Sequence, residues 1–319
     1  MIHTPLCDLL GIAHPILQGG MAWVATAELS AAVSEAGGLG IIGGGNAPTD
    51  YIRQQIHALR ALTNKPFGVN VPLFSEFVED VIALCIEEHV PVVSTGAGNP
   101  GPYMARLKAA GIIVAPVVAS VALARRLEGV GADIIIAEGM ESGGHIGDVT
   151  TLPLVDQVAR AVKAPVVAAG GLATGRGMAA ALMLGAAGIQ MGTRFICATE
   201  CTAHATYKQK IIAAGDRSTM VTGESLGHPV RALRNPMTRR FHELEESGAT
   251  EAEAIAFGVG ALRRAAQQGD WETGTFMAGQ CAGLVSKEMP CQAIIDEVVA
   301  EAEAAMRAGV QLIRPGKEH

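Results

Sequence analysis

Residues 165–192 read PVVAAGGLATGRGMAAALMLGAAGIQMG. An apolar run, Pro165–Ala169, enters the glycine-rich stretch Ala168–Gly177. A helix-like segment follows over Gly175–Leu184, and a second apolar run spans Gly188–Gly192. Both runs are continuous rather than alternating, which is the pattern of parallel strands covered on both faces. Upstream, the same beat predicts strands at Pro15–Gln18, Leu39–Gly43, Phe67–Val71, Val90–Ser94, Ile112–Val118 and Ala132–Ala137. Helices are predicted at Thr26–Ala36, Thr49–Leu62, Ser75–Glu88, Pro102–Ala110, Ser120–Gly129 and Pro153–Val162. Strand–helix units repeated eight times are the signature of an α/β fold of the closed (β/α)8 TIM-barrel type. A doubly wound open sheet is the runner-up, because closure leaves no mark in a sequence.

After strand eight the pattern changes. Residues 197–271 are polar, rich in Arg, Glu and His, and carry no apolar strand run. They predict a small helical lid domain inserted after strand eight, lying over the C-terminal mouth of the barrel. The barrel then comprises residues 1–196 and 272–319. Gly274–Lys287, GTFMAGQCAGLVSK, is again glycine-rich and apolar, and an amphipathic helix over Cys291–Met306 closes the chain.

Composition sets the broad class. Of 319 residues, 39 are Gly and only 4% aromatic, which suits tightly packed strand–helix units better than a β-sandwich. A net charge of −7 argues against a chain that coats nucleic acid. The mean hydropathy of +0.31 is high, yet no uninterrupted run of about 18 apolar residues predicts a membrane span. The opening residues, MIHTPLCDLLG, lack the basic end and long apolar core of a signal peptide. The six cysteines form no CxxC pair. They read as reduced thiols of a cytoplasmic protein. Cys197 and Cys201 read as two small apolar residues on one helical face.

Strand C-terminal ends are where a barrel does its chemistry. Glu138–Gly147, EGMESGGHIG, leaves strand six and places a carboxylate, glycines and His145 there. Histidine changes charge most readily near neutral pH, so His145 is the candidate catalytic residue. Glu138 is placed to orient it, or to bind a cofactor group or an ion. No metal-ligand spacing surrounds them. Ala168–Gly177 after strand seven and Met191–Phe195 after strand eight form a candidate phosphate cradle. Glycines let backbone amides approach an anion, and barrels often hold phosphate at these two loops. Gly37–Asn46, GGLGIIGGGN, encloses its own strand and so is not a dinucleotide fingerprint. Gln18–Trp23, Asn70 and Thr95–Asn99 add amide and small groups at the same mouth. Together they suit a planar, hydrogen-bonding cofactor. Gly227–Arg240 is basic, either a solvated helical face or a docking patch for an acidic partner or phosphorylated substrate arm.

Over nearly the whole chain these motifs resemble the FMN-dependent enoyl-[acyl-carrier-protein] reductases of the barrel-fold class, which are related to nitronate monooxygenases. The resemblance runs through QGGMAWVA, GGLGIIGGGNAP, KPFGVN, TGAGNP, IAEGMESGGHIG, AAGGLATGRG, MGTRF, GHPVRALRN and MAGQCAGLVSKE. It implies FMN with its phosphate on Gly170, Gly171, Gly192 and Thr193. Its flavin and ribityl portions would meet Met21, Ala22, Asn70, Glu138, Met277 and Gln280. Gly20, Thr95, Gly143, Ala169, Gln190 and Met191 would complete the cofactor site. It further implies NADH or NADPH as co-substrate, an enoyl thioester on acyl carrier protein, a monovalent cation near Glu138, and a homodimer. His145 would hydrogen-bond the thioester carbonyl or supply a proton. Under the alternative, nitronate monooxygenase, the same histidine removes an α-proton from a substrate oxidised with O2. The insertion and the MAGQ…GLVSKE segment look more like the reductase. The resemblance also implies that the basic face around Arg231 and Arg234 docks acyl carrier protein, unless those arginines contact nucleotide phosphates.

Overall fold

The structure is a computed structural model and describes residues 2–313, so the outer limits drawn at 1 and 319 lie outside the described residues. The barrel strands are, in chain order, Ile16–Gln18, Gly40–Gly43, Phe67–Pro72, Val92–Gly96, Ile113–Val118, Ile135–Glu138, Val166–Ala169 and Gly188–Met191. Each pairs in parallel with its sequence neighbour, and the first pairs with the eighth. Leu17 and Leu39 bridge the first and second strands. There the Gln18 amide donates to Leu39 O and the Leu39 amide to Ile16 O, both at 2.9 Å. The sheet therefore closes, and the open-sheet alternative falls.

Alternation along each strand divides the apolar residues between two cores. Leu17, Ile41, Val92, Ile136 and Val167 point into the barrel, whereas Ile16, Ile42, Val93, Ile135 and Val166 pack outward under the helices. Both sets are fully buried, which is why the runs read as continuous. The N-terminal end of the barrel is plugged by Leu6, Cys7 and Leu10 from a short helix, Pro5–Leu10. Pro5 opens that helix and Gly11, at φ 65°, ends it. The last helix, Cys291–Val310, buries Ile294, Ile295, Val298 and Ala302 and packs along Gly175–Met183.

The inserted segment corrects one expectation: it is not wholly helical. Its helices are Ala205–Ile212, Pro236–Glu246 and Glu251–Gly258, with a further turn at Ala261–Arg263 that widens into a π-helix, Arg264–Gln268. Between the first two lies an antiparallel hairpin, Thr219–Thr222 and Val230–Leu233. Neither strand is an apolar run, since Thr219, Thr222 and Arg231 occupy buried positions within them. Gly223 and Gly227, both at positive φ, turn the chain between them. The second hairpin strand also pairs with Gly144–His145, so the insertion is stitched to the loop leaving the sixth barrel strand. All six cysteines are free and buried. Among the described residues no helix is long and apolar enough to cross a membrane.

Candidate active site

A cavity of about 610 Å³ opens at the C-terminal end of the barrel, beneath the insertion. That volume is within the ordinary range for a small-molecule site. Its floor and one end are built from glycine. Gly170 and Gly171 both take positive φ, 95° and 73°. A Cβ on Gly170 would lie 2.6 Å from the carbonyl oxygen of Gly139. The loop is locked from behind by Glu141, whose carboxylate accepts the Thr151 amide (2.8 Å) and hydroxyl (2.7 Å). Gly192 and Thr193, which follow the neighbouring paired strand, line the same cavity. The Thr193 hydroxyl accepts the Gly279 amide at 2.9 Å, tying the eighth strand's end to the segment after the insertion.

Amide side chains line the middle. Asn70 donates to the Ser94 hydroxyl at 3.1 Å, and Gln190 projects from the eighth strand. Gly20 must be glycine because a Cβ there would collide with the Asn70 side chain. Glu138 reaches the cavity from the sixth strand. Burial pushes its carboxyl up to about 7, with the Ser142 hydroxyl pulling the other way.

His145 stands at the wall nearest the insertion. It pairs opposite Val230, while the Ile146 amide donates to Pro229 O at 3.1 Å. The Phe74 ring lies 5.4 Å from its imidazole, centroid to centroid. Although the imidazole is open to the cavity, this crowded wall desolvates it. That, together with neighbouring His228, holds it below the usual histidine range. His145 is therefore mostly neutral at pH 7, able to donate one hydrogen bond and accept another.

Fourteen of the expected site residues share this cavity: Gly20, Met21, Ala22, Asn70, Glu138, Gly143, His145, Ala169, Gly170, Gly171, Gln190, Gly192, Thr193 and Met277. Three do not. Thr95 and Met191 lie one residue out of phase with cavity-facing neighbours, and strand alternation turns their side chains outward. Gln280 faces a separate cavity of about 460 Å³, behind the Gly170–Leu172 loop. Arg231 is also corrected. It is 5% exposed, and its guanidinium donates to Met140 O (3.0 Å) and the Thr219 hydroxyl (3.2 Å). It braces the Glu138–Gly147 loop and takes no part in a docking face. Arg234 is exposed, its Nε donating to Arg217 O and Thr219 O, both at 3.1 Å.

The rim of the cavity carries residues with no sequence signal of function. Phe74, Ile255, Val259, Leu262 and Arg263 line it, together with Trp23. The Arg263 guanidinium sits 4.7 Å from the Trp23 ring, and Tyr51 packs on Trp23 at 5.4 Å. Trp23 itself holds φ 63°, an uncommon conformation for a bulky residue. Among the described residues, no group of three or more His, Cys, Asp or Glu is arranged to hold a metal ion.

The nitronate monooxygenase family model matches residues 3–83 and 74–301. A (3aS,4S,5R,7aS)-5-hydroxy-7a-methyl-1-oxo-octahydro-1H-indene-4-carboxyl-CoA dehydrogenase of Mycobacterium tuberculosis is 34% identical, covering 98% of this chain and 99% of the relative. A nitronate monooxygenase of Paraburkholderia phytofirmans is 32% identical over 97% and 96%. Among solved structures, FabK from Thermotoga maritima superposes with a TM-score of 0.96 at 52% identity, covering 98% of this chain and 100% of that one. A nitroalkane oxidase from Streptomyces ansochromogenes gives 0.84 at 31%, covering 95% and 99%. The chain belongs to the nitronate monooxygenase family, whose members are FMN-dependent oxidoreductases. The cavity fits such a group. Gly170, Gly171, Gly192 and Thr193 offer unshielded amides and a hydroxyl for a phosphate, and Asn70, Gln190 and Glu138 offer hydrogen bonds to a flat polar ring.

Proposed function

We propose that this member of the nitronate monooxygenase family is an FMN-dependent enoyl-[acyl-carrier-protein] reductase that uses NADH or NADPH. The observation that carries the reading is the 52% identity to FabK across 98% of the chain, against 31–40% for the relatives named for nitronate, nitroalkane or indene-carboxyl-CoA substrates. The M. tuberculosis relative is itself named for a carboxyl-CoA, so a thioester substrate is at home in this family.

The chemistry that bound FMN would supply is transfer of a hydride equivalent from the pyridine nucleotide to the β-carbon of the enoyl thioester. The chain's own residues do the rest. Gly170, Gly171, Gly192 and Thr193 hold the phosphate, and the locked Glu141–Thr151 pair keeps that loop from yielding. Glu138, its carboxyl pushed up to about 7 by burial, keeps its proton far more readily than an ordinary carboxylate and so puts less negative charge into a site where an anionic enolate develops. His145 donates a hydrogen bond to the thioester carbonyl as the α-carbon takes its proton. Arg231 and the hairpin hold His145 in register. The acyl carrier protein, which is acidic, docks on the exposed basic face that includes Arg234, Arg239 and Arg240. The functional unit is a homodimer.

The second reading, nitronate monooxygenase, is favoured by the family model and by the relatives so named. An anaerobic assay with pyridine nucleotide and crotonyl thioester separates the two. The reductase reading expects nucleotide oxidation that depends on the thioester. Thioester-independent oxidation, with O2 uptake driven by an alkyl nitronate, would overturn it.

A further inference from the structure

The cavity ends in an apolar rim that contains none of the residues expected to hold the cofactor. Ile255 is 58% exposed, Val259 66% and Phe74 58%, yet all three line the same cavity as His145. Leu262 and the Trp23 ring complete that side. Large apolar side chains gathered around a cavity mouth and left in contact with water mark a binding surface.

The rim is built to hold its shape. Helix Glu251–Gly258 is fixed at its start by a reciprocal capping box, in which the Thr250 hydroxyl accepts the Glu253 amide and the Glu253 carboxylate accepts the Thr250 amide at 2.8 Å. Phe257 packs edge-on against Phe241 of the preceding helix at 6.0 Å. Beyond the helix, the Arg263–Trp23 stack pins the chain to the loop leaving the first barrel strand. Ile255 and Val259 are four residues apart and carry one apolar stripe from helix end to turn. Phe74, from the third strand's loop, continues it to within ring contact of His145.

We propose that this rim, Phe74, Trp23, Ile255, Val259 and Leu262, receives the acyl chain of the thioester, and that the helix Glu251–Gly258 sets the preferred chain length. The proposal rests on the enoyl-reductase reading. With the carbonyl at His145, the chain beyond the β-carbon has to leave the site. The apolar surface that begins at Phe74 gives it a path out of water. A protein partner would leave the inward-facing part of this stripe uncovered.

The test uses the whole flavoenzyme and a series of trans-2-enoyl-CoA thioesters of four to ten carbons. Each methylene the rim covers raises kcat/KM about four-fold, the equivalent of about 0.8 kcal/mol per buried methylene. In the double variant Ile255→Ser, Val259→Ser, the ratio of the ten-carbon to the four-carbon substrate falls at least ten-fold. Val259→Trp, which fills the rim, moves the optimum to shorter chains. Flavin absorbance and Tm establish that each variant is folded and loaded. A chain-length profile that is flat in the parent, or unchanged in both variants, overturns the proposal while leaving the reductase reading intact. Failure of every thioester to be reduced sinks the reading itself, and the proposal with it.

Discussion

The two ends of the cavity are built on opposite principles. At the glycine-rich end, backbone does the work: Gly170 and Gly171 take left-handed backbone, a Cβ on Gly170 would strike Gly139 O, and Glu141 and Thr151 lock the loop from behind. At the rim, exposed side chains from the insertion do the work, on a short helix fixed by a cap and one ring contact and followed by the Arg263–Trp23 stack. Between them stands His145, on a loop that starts in the barrel and ends paired to the insertion. The difference teaches how one barrel serves several chemistries. Backbone geometry limits what the glycine-rich end can carry, whereas each rim side chain can be exchanged without disturbing the barrel beneath it.

The largest effect should come from breaking the backbone end. Gly170→Val forces a β-branched residue into left-handed backbone, costing about 1–3 kcal/mol, and drives its Cβ toward Gly139 O. The variant should fold, with native far-ultraviolet circular dichroism, but purify without flavin absorbance. A yellow variant would show that the cradle lies elsewhere. Next comes the residue between the ends. His145→Ala should keep its flavin yet lose about 10²- to 10⁴-fold in kcat, read by thioester-dependent nucleotide oxidation.

A smaller effect is expected from the brace. Arg231→Ala removes hydrogen bonds made by a buried charged group, worth about 1.5–3 kcal/mol. Tm should fall, and kcat should fall with little change in flavin content. Arg231→Lys should recover part of the Tm. An unchanged kcat would detach His145 from the insertion.

The last effect, on stability rather than turnover, is a pH dependence. The folded pKa of Glu138 is raised from its usual 4.5 to about 7. The folded protein therefore holds this proton more tightly than the unfolded chain does. The stability so contributed is present in full below pH 4.5 and is lost as pH rises through about 7. Thermal unfolding of the flavin-free protein should show that slope, and Glu138→Gln should flatten it.

The barrel was legible because its strands bury both faces. Ile41 with Ile42, and Val92 with Val93, give runs whose ends fall within two or three residues of the strands observed. Most of the cavity wall was legible for a related reason, since glycines and amides cluster where strands end. What was not legible depended on phase and on distance. Thr95 and Met191 sit on the right strands with the wrong parity, Ser94 and Gln190 taking the inward positions. Thr219–Thr222 and Val230–Leu233 carry no apolar run, and their pairing partner, Gly144–His145, is remote in the chain. Arg231 looks like surface charge until the carbonyl of Met140 is placed beside it. Ile255 and Val259 belong to no motif, and only the fold shows that they face a cavity.

The central claim is that electrons entering this site leave onto an enoyl thioester rather than onto oxygen. Stopped-flow mixing of the anaerobically reduced holoenzyme with either crotonyl-CoA or air-saturated buffer tests it directly. The account predicts that the flavin absorbance returns faster with the thioester, with butyryl-CoA formed in equal amount. Return with oxygen alone, and no saturated thioester, would contradict it.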